Sequence, residues 1–292
     1  MPAPLPLPST PRSGGSVGSR SSSGTPCATP ATAASRTLAV LAAFGPEHPS
    51  LSLSEISRRT GLSLTTTHRL AGELREWGAL ERGPDGRYGI GLRILELGAL
   101  APQGLPLREL ALPFLDDLHH ATRANVHLAV RDGHDVVYVE SLRARGAVHV
   151  LSRLGGRWPL HATGTGQVLL AYASADVQQE IVASPLRRFT ANTITDVEQL
   201  RRTLAEVRRT GVAIAENQLT AEALALAVPV RGPGDEVVAA LGVTVQRAVV
   251  KSHALIPVLA ATARGISRAL GAPSVSTVDP RSVRRTTQPD LH

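Results

Sequence analysis

The stretch that most restricts this chain runs from Ser52 to Gly78. Ser52-Leu53-Ser54-Glu55 reads as a capping box, serine at the cap and glutamate three residues on, opening a short helix with Ile56 turned inward. Gly61 breaks that helix, Ser63 is placed to cap a second one, and Gly78 stops it. Two helices meeting through a turn of about three residues that contains glycine make a helix-turn-helix. In the second helix Thr67, Leu70, Leu74 and Trp77 recur at steps of three and four, which predicts one packed face. Thr65 and Arg69 lie opposite, with Thr66 and His68 beside them, and so form a front able to reach base edges in a DNA major groove. Glu76 shares that front two turns later, where phosphates repel it, so base reading is expected in the first two turns only.

Two short strands follow, Ala79 to Arg82 and Arg87 to Ile90, around Gly83-Pro84-Asp85-Gly86. They predict a hairpin wing with Arg82 and Arg87 set to meet phosphate. Ser35 to Phe44 is expected to be the first helix of the same unit, with Leu38, Leu41 and Ala42 inward. Between residues 35 and 101 eight arginines face seven acids. DNA affinity must then come from where the arginines sit and from doubling in a dimer, not from bulk charge.

The run Leu53 to Leu70, then Tyr88-Gly89-Ile90-Gly91 and Leu95-Glu96-Leu97-Gly98, resembles the IclR family of bacterial transcription regulators. Two later blocks agree in order and spacing: Trp158 to Ala171 and Leu226-Ala227-Val228-Pro229-Val230. The resemblance covers roughly Ser35 to Gly271. It implies an α+β chain in which a winged helix-turn-helix domain (35–91) is joined by a helix (92–104) to a GAF-like α/β effector-binding domain (105–271).

The residue pattern beyond the wing is compatible with that plan. Leu92 to Leu100 reads as a helix with Leu92, Leu95 and Leu97 apolar, and Leu105 to Thr122 as another with Leu110, Phe114, Leu115 and Leu118 inward. Asn125 to Val130 and Val136 to Glu140 alternate as a hairpin about Gly133. Val148 to Ser152 is expected to be a third strand. Helices are expected at Gly164 to Tyr172, Ala175 to Ala183 and Asp196 to Thr210. Strands should return at Val212 to Glu216, Ala223 to Val230 and Val237 to Val245, before a closing helix from Lys251 to Leu270. Residues 1–34 and 272–292 read as loose tails, the first rich in Pro, Ser and Gly and without the apolar core of a secretory signal.

Composition narrows the classes further. The formal net charge of +7 is compatible with a polyanion partner, and a single cysteine, Cys27, excludes an intramolecular disulfide framework. No run of apolar residues is long enough for a membrane span. His119-His120 follow Asp116 and Asp117, with His127 after them, but adjacent histidines point about 100° apart on a helix and no HExxH occurs. No Gly-x-Ser-x-Gly elbow or phosphate-binding glycine motif is present either. No enzyme activity, metal or cofactor is expected, and His161 is expected to be structural.

At His161-Ala162-Thr163-Gly164-Thr165-Gly166 two readings stand open. The glycines, hydroxyls and free N–H groups of a helix start can clasp an oxygen-rich ligand, or the glycines can serve a tight strand-to-helix turn. The resemblance favours the ligand and supplies further positions. The family's acid position falls on Ala215, with Glu216 just beyond, its cysteine position on Ala225, and its serine pair on Gly242 and Thr244. Losing those polar groups predicts a larger, partly apolar cavity bordered by Trp158, Leu151 and Leu160, taking an aromatic or amino-acid-derived effector.

The expected whole is a cytoplasmic, nucleoid-associated repressor that binds a pseudo-palindromic double-stranded operator. It is expected to be a homodimer or dimer of dimers under small-molecule control. A ligand-independent regulator and a sensor-domain enzyme with a DNA-binding appendage are the alternatives.

Overall fold

The computed structural model describes residues 32–101, 104–145, 153–246 and 252–273. The expected strand at Val148 to Ser152, with Leu151, falls outside them, as does most of each tail. The described chain forms two compact units that divide after Leu95.

In the N-terminal unit, helix α1 (Ala33–Ala42) begins two residues before the expected tail ends. Thr32 caps it and Ser35 closes the capping box. Its inward residue is Val40, whereas Leu38 is 64% exposed and Ala42 faces solvent. Strand β1 (Ser50–Leu51) precedes α2 (Leu53–Thr60), whose cap is Ser52: Glu55 Oε2 accepts from the Ser52 N–H at 2.7 Å. Gly61 takes the left-handed conformation, which frees the chain to turn into α3 (Leu64–Trp77). Thr67, Leu70, Ala71 and Leu74 are buried there beside Ile56, Leu51, Leu80 and Tyr88.

Trp77 departs from the spacing argument. It is 51% exposed, because the last turn of α3 runs past the core, and Arg93 stacks on its indole at 5.4 Å. The wing strands β2 (Leu80–Arg82) and β3 (Tyr88–Ile90) form as expected. β1 joins them through Leu51 opposite Tyr88, a third strand too short to announce itself by alternation. Helix α4 (Leu92–Ala99) has no buried residue; Leu92 and Leu95 are 73% and 62% exposed.

The C-terminal unit is built on a six-stranded antiparallel sheet with helices on both faces. Helix α5 (Leu105–Thr122) leads into the hairpin β4 (Asn125–Asp132) and β5 (Asp135–Leu142), and β6 (Arg157–Pro159) adds an edge. A 3-10 turn then enters α6 (Gly164–Ala171), followed by α7 (Ala175–Ala183) and α8 (Val197–Thr210). Strands β7 (Ala213–Glu216), β8 (Ala223–Arg231) and β9 (Val237–Gln246) complete the sheet in the order β6-β5-β4-β9-β8-β7, and α9 (Ser252–Ala269) closes the unit.

Alternation decides which side chain meets which helix layer. Val126, Leu128 and Val130, with Leu224, Leu226, Val228, Leu241 and Val243, face α5 and α9. Their neighbours Ala129, Tyr138, Ala213, Ala227 and Ala240 face α6 and α8. Helices cover both faces, so the strands are apolar on both sides rather than half-solvated. Among the described residues no helix is long and apolar enough to cross a membrane.

Candidate functional site

Two places in the chain gather unusual side chains, one in each unit. In the N-terminal unit the first turns of α3 stand clear of the core. Ser63, Thr65, His68 and Arg69 are exposed and Thr66 is half-buried. Ser63 and Thr66 are partly committed to the helix start: Ser63 Oγ accepts from the Thr66 N–H and donates to Thr66 Oγ1 at 2.9 Å. Arg69 pairs with Glu73 one turn on, an exposed contact that a stronger acceptor can displace. Leu64, 52% exposed at the first helical position, was not singled out from sequence. Neither were Arg58 and Arg59, exposed at the end of α2, where their charges also suit the helix C-terminus.

The wing arginines have partners of their own. Arg82 donates through Nε to the Gly86 carbonyl at 3.0 Å and lies over the Tyr88 ring. Arg87 donates to the Ser50 carbonyl at 3.0 Å and to Glu55 Oε2 at 2.8 Å, tying the wing to the capping box of α2. The Ser52 N–H and hydroxyl, with Arg87 adding to them against partial desolvation, hold Glu55 below the usual carboxylate range. Arg87 is therefore a brace between wing and helix in this structure, which sequence position alone did not indicate.

In the C-terminal unit a cavity of about 40 Å³ opens at the start of α6. Thr163 caps this helix, its Oγ1 accepting from the Gly166 N–H at 2.9 Å. First-turn N–H groups have no partner within a helix, and Gly164 and Thr165 both line the cavity. The two glycines divide the readings left open by sequence. A Cβ on Gly166 would lie 2.3 Å from the Leu160 carbonyl oxygen, so this glycine serves the tight turn. A Cβ on Gly164 would meet Ala225 and Ala227 at ordinary distances of 3.5–3.6 Å, so the fold alone does not demand glycine there.

Of the expected effector residues, Thr163, Gly164, Thr165, Ala225 and Thr244 come together around the cavity, with Ala215 and Gly242. Three do not. Trp158 packs edge-on against Phe189 at 5.7 Å, Leu160 is fully buried in the core beneath α6, and Glu216 follows Ala215 along β7 and so points to the opposite face. The expected gain of volume at Gly242 is also absent. Thr165 fills it: a Cβ on Gly242 would lie 2.8 Å from Thr165 Cγ2.

The wall also contains residues that sequence reasoning missed or read differently. His127 and Tyr138 stand on the cavity side of β4 and β5, their rings edge to face at 5.4 Å, and Thr165 Oγ1 donates to Tyr138 Oη at 3.3 Å. His127 is 2% exposed; burial, with Arg143 adding to it, pushes its pKa down to about 3. Its Nδ1 lies 3.1 Å from Ser141 Oγ. The Ser141 N–H donates to Glu140 Oε1 at 2.7 Å, and Glu140 pairs at 2.7 Å with Arg108 in the first turn of α5. Gln218, Leu219 and Thr220 form the outer rim. Gln167 ties it to α6 by donating to Gln218 Oε1 at 2.6 Å, and Thr193, in the loop before α8, donates to the Gln218 carbonyl at 2.6 Å. His161 takes the structural place expected of it, donating through Nε2 to the Arg187 carbonyl at 2.9 Å.

Known proteins share this plan over most of the chain. Residues 33–84 match the IclR helix-turn-helix domain and residues 100–268 match the bacterial transcriptional regulator IclR C-terminal domain. The HTH-type transcriptional regulator XynR of Escherichia coli is 30% identical over 244 residues, 82% of this chain and 97% of that protein. The HTH-type transcriptional repressor AllR of the same species is 28% identical over 82% of this chain and 91% of its own length. Among solved structures, an IclR homologue from Microbacterium hydrocarbonoxydans complexed with 4-hydroxybenzoate superimposes with a TM-score of 0.76. It is 36% identical, and the match covers 80% of this chain and 97% of the homologue.

Proposed function

The chain belongs to the IclR family of DNA-binding transcription regulators, and on that premise we propose that it represses transcription from a pseudo-palindromic operator under control of a small aromatic acid. The observation that carries the DNA half is the exposed front of α3. Thr65, His68 and Arg69 stand on a helix whose back is packed, with Leu64 beside them to meet a thymine methyl. Arg58 and Arg59, exposed at the end of α2, are available to hold backbone phosphate, and Arg82 serves the wing. One reader helix covers too few base pairs for genomic specificity, so subunits must pair. The exposed Leu92 and Leu95 of α4, with Leu38 of α1, supply apolar surface for that pairing. On this reading the protein acts in the cytoplasm, on the nucleoid.

The effector half rests on the cavity. Ala162, Ala215, Ala223, Ala225 and Leu219 give it apolar walls, while α6 offers N–H groups for a carboxylate. Among the described residues no arginine or lysine lines it, which disfavours small, highly charged ligands that have no apolar surface to bury. The likeness to a homologue complexed with 4-hydroxybenzoate supports the same class. A free volume of about 40 Å³ holds roughly three waters, less than an aromatic ring needs. Seating the ring therefore requires the wall to open, and the rim at Gln218–Thr220, held by side-chain hydrogen bonds from Gln167 and Thr193, is the part proposed to move.

Mobility shift on DNA upstream of the chain's own gene, with and without 4-hydroxybenzoate, tests the whole reading. A shift altered by the aromatic acid and not by pyruvate or glyoxylate is expected. Calorimetry showing tight pyruvate binding and no response to aromatics would refute the effector class, and light scattering from a monomer that still binds the operator tightly would refute the pairing.

A further inference from the structure

The wall of the cavity contains a side chain whose state has no structural explanation. His127 is almost wholly buried, and while its Nδ1 lies against Ser141, its Nε2 has no hydrogen-bond partner among the described residues. Buried polar atoms are nearly always satisfied, and a histidine kept only for packing is readily replaced by an apolar residue of similar shape. The strand register sharpens the point. The residue paired with His127 across β4 and β9 is Gly242, so the directly opposite position brings no side chain over the ring. Tyr138 meets the ring edge-on and directs its hydroxyl to Thr165. The imidazole thus lines the cavity together with Thr165 and Thr244.

Resting on the reading of this cavity as the effector site, we propose that His127 Nε2 is the hydrogen-bond partner of an uncharged hydroxyl on the effector, distinct from the carboxylate seated on the first turn of α6. Two features oppose a charged group at this position. Burial strongly disfavours a proton on the ring, and Arg143 adds to that, so the imidazole is neutral across the physiological range. A neutral ring offers Nε2 one hydrogen bond, which a hydroxyl can satisfy in either sense. The carboxylate has its own donors in the N–H groups of Gly164 and Thr165. The effector class is therefore a ring-bearing hydroxy acid, in which discrimination against the analogue lacking the hydroxyl comes from leaving Nε2 unpaired.

Calorimetry on the full chain with benzoate and 4-hydroxybenzoate tests this. The wild-type chain should bind 4-hydroxybenzoate at least ten times more tightly than benzoate. His127→Phe should abolish that preference, and His127→Gln, which keeps a polar terminus, should recover part of it. The ring 15N shift of His127 Nε2 should move on adding 4-hydroxybenzoate and stay in place on adding benzoate. Equal loss of both ligands in His127→Phe, an unchanged preference in that variant, or a silent 15N shift overturns the assignment of His127 and leaves the site standing. Binding of neither acid by the wild-type chain overturns the site and the assignment together.

Discussion

Replacing Gly242 by alanine sets a methyl group where Thr165 Cγ2 already sits. The added Cβ would be 2.8 Å from that methyl and 3.3 Å from the Leu226 carbonyl oxygen. Carbon atoms pack at about 3.5–4.0 Å, so the overlap is on the order of 1 Å. Thr165 has little room to yield. It is 4% exposed, its helix is fixed by the Thr163 cap, and turning its methyl away breaks the bond from Oγ1 to Tyr138. Overpacking of this kind costs about 1–3 kcal/mol. For a domain of this size each kcal/mol lowers the melting temperature by roughly 2–4 °C. Scanning calorimetry of the full chain should show the transition of the C-terminal unit fall by about 2–12 °C. Thr165→Ser removes the offending methyl and keeps the hydroxyl. Added to Gly242→Ala it should restore most of the loss, giving a coupling of about 1 kcal/mol or more between the two sites. A Gly242→Ala chain as stable as the wild type, or a double variant whose losses simply add, would refute the interlock.

The other predictions concern the remaining walls and the DNA face. Gly166→Ala should destabilise the C-terminal unit by about 1–3 kcal/mol in denaturant titrations, whereas Gly164→Ala should leave stability nearly intact and weaken effector binding; the reverse order would misplace the turn and the ligand. The unfolded chain binds a proton near pH 6.5 that folded His127 refuses until about pH 3. The stability it contributes as a neutral ring is complete above pH 6.5. It is lost on acidification toward pH 3 at up to roughly 1.4 kcal/mol per unit, with His161 contributing in the same direction. His127→Gln should flatten the profile between pH 6.5 and 5, above the range of ordinary carboxylates, and an unchanged slope there counts against the buried neutral ring. Arg69→Ala should cost roughly 1–3 kcal/mol on operator DNA and relax preference at one base pair per half-site. Arg87→Ala should lower the melting temperature of the N-terminal unit with little change in the salt slope of binding, since its guanidinium is held by Ser50 and Glu55; a slope reduced by about one would make it a phosphate contact instead.

The helix-turn-helix was legible because its determinants are local. Caps at Ser52 and Ser63 and left-handed glycines at 61 and 78 act within a turn of where they stand. The errors in that unit come where a helix end outruns its neighbours, as at Trp77, or where the inward stripe is shifted, as from Leu38 to Val40. Spacing gives a face, but only packing says how far along the helix that face is covered. In the C-terminal unit the helices and hairpin were readable, yet the cavity was legible only in part. Gly164 and Thr165 sit on one helix start, and Ala215, Ala225 and Thr244 were aligned through the family pattern. Tyr138 was missed, and His127 was weighed only as a metal ligand, because the alternation of Asn125 to Val130 does not say what covers each face of the hairpin. Helix α6 covers one of them, and the pairing of β4 with β9, far apart in sequence, carries Gly242 beside His127. Glu216 was misplaced by a single residue, enough to reverse its side of the sheet.

The contact between His127 and Ser141 has a consequence for pharmacology. A neutral imidazole holds one proton, on either nitrogen, and the two tautomers have the same outline and opposite hydrogen-bond polarity. A ligand that donates to Nε2 drives the proton to Nδ1, and Ser141 Oγ must then accept it. A ligand that accepts from Nε2 leaves Nδ1 bare, and the Ser141 hydroxyl must turn to donate. The backbone N–H of the same serine holds Glu140, the partner of Arg108 at the head of α5. Two compounds of one shape, differing only in whether a single group gives or takes a proton bond, would leave that serine in two orientations. If His127 meets the effector as proposed, such a pair would be told apart by the tautomer each one holds, and by nothing in their outline.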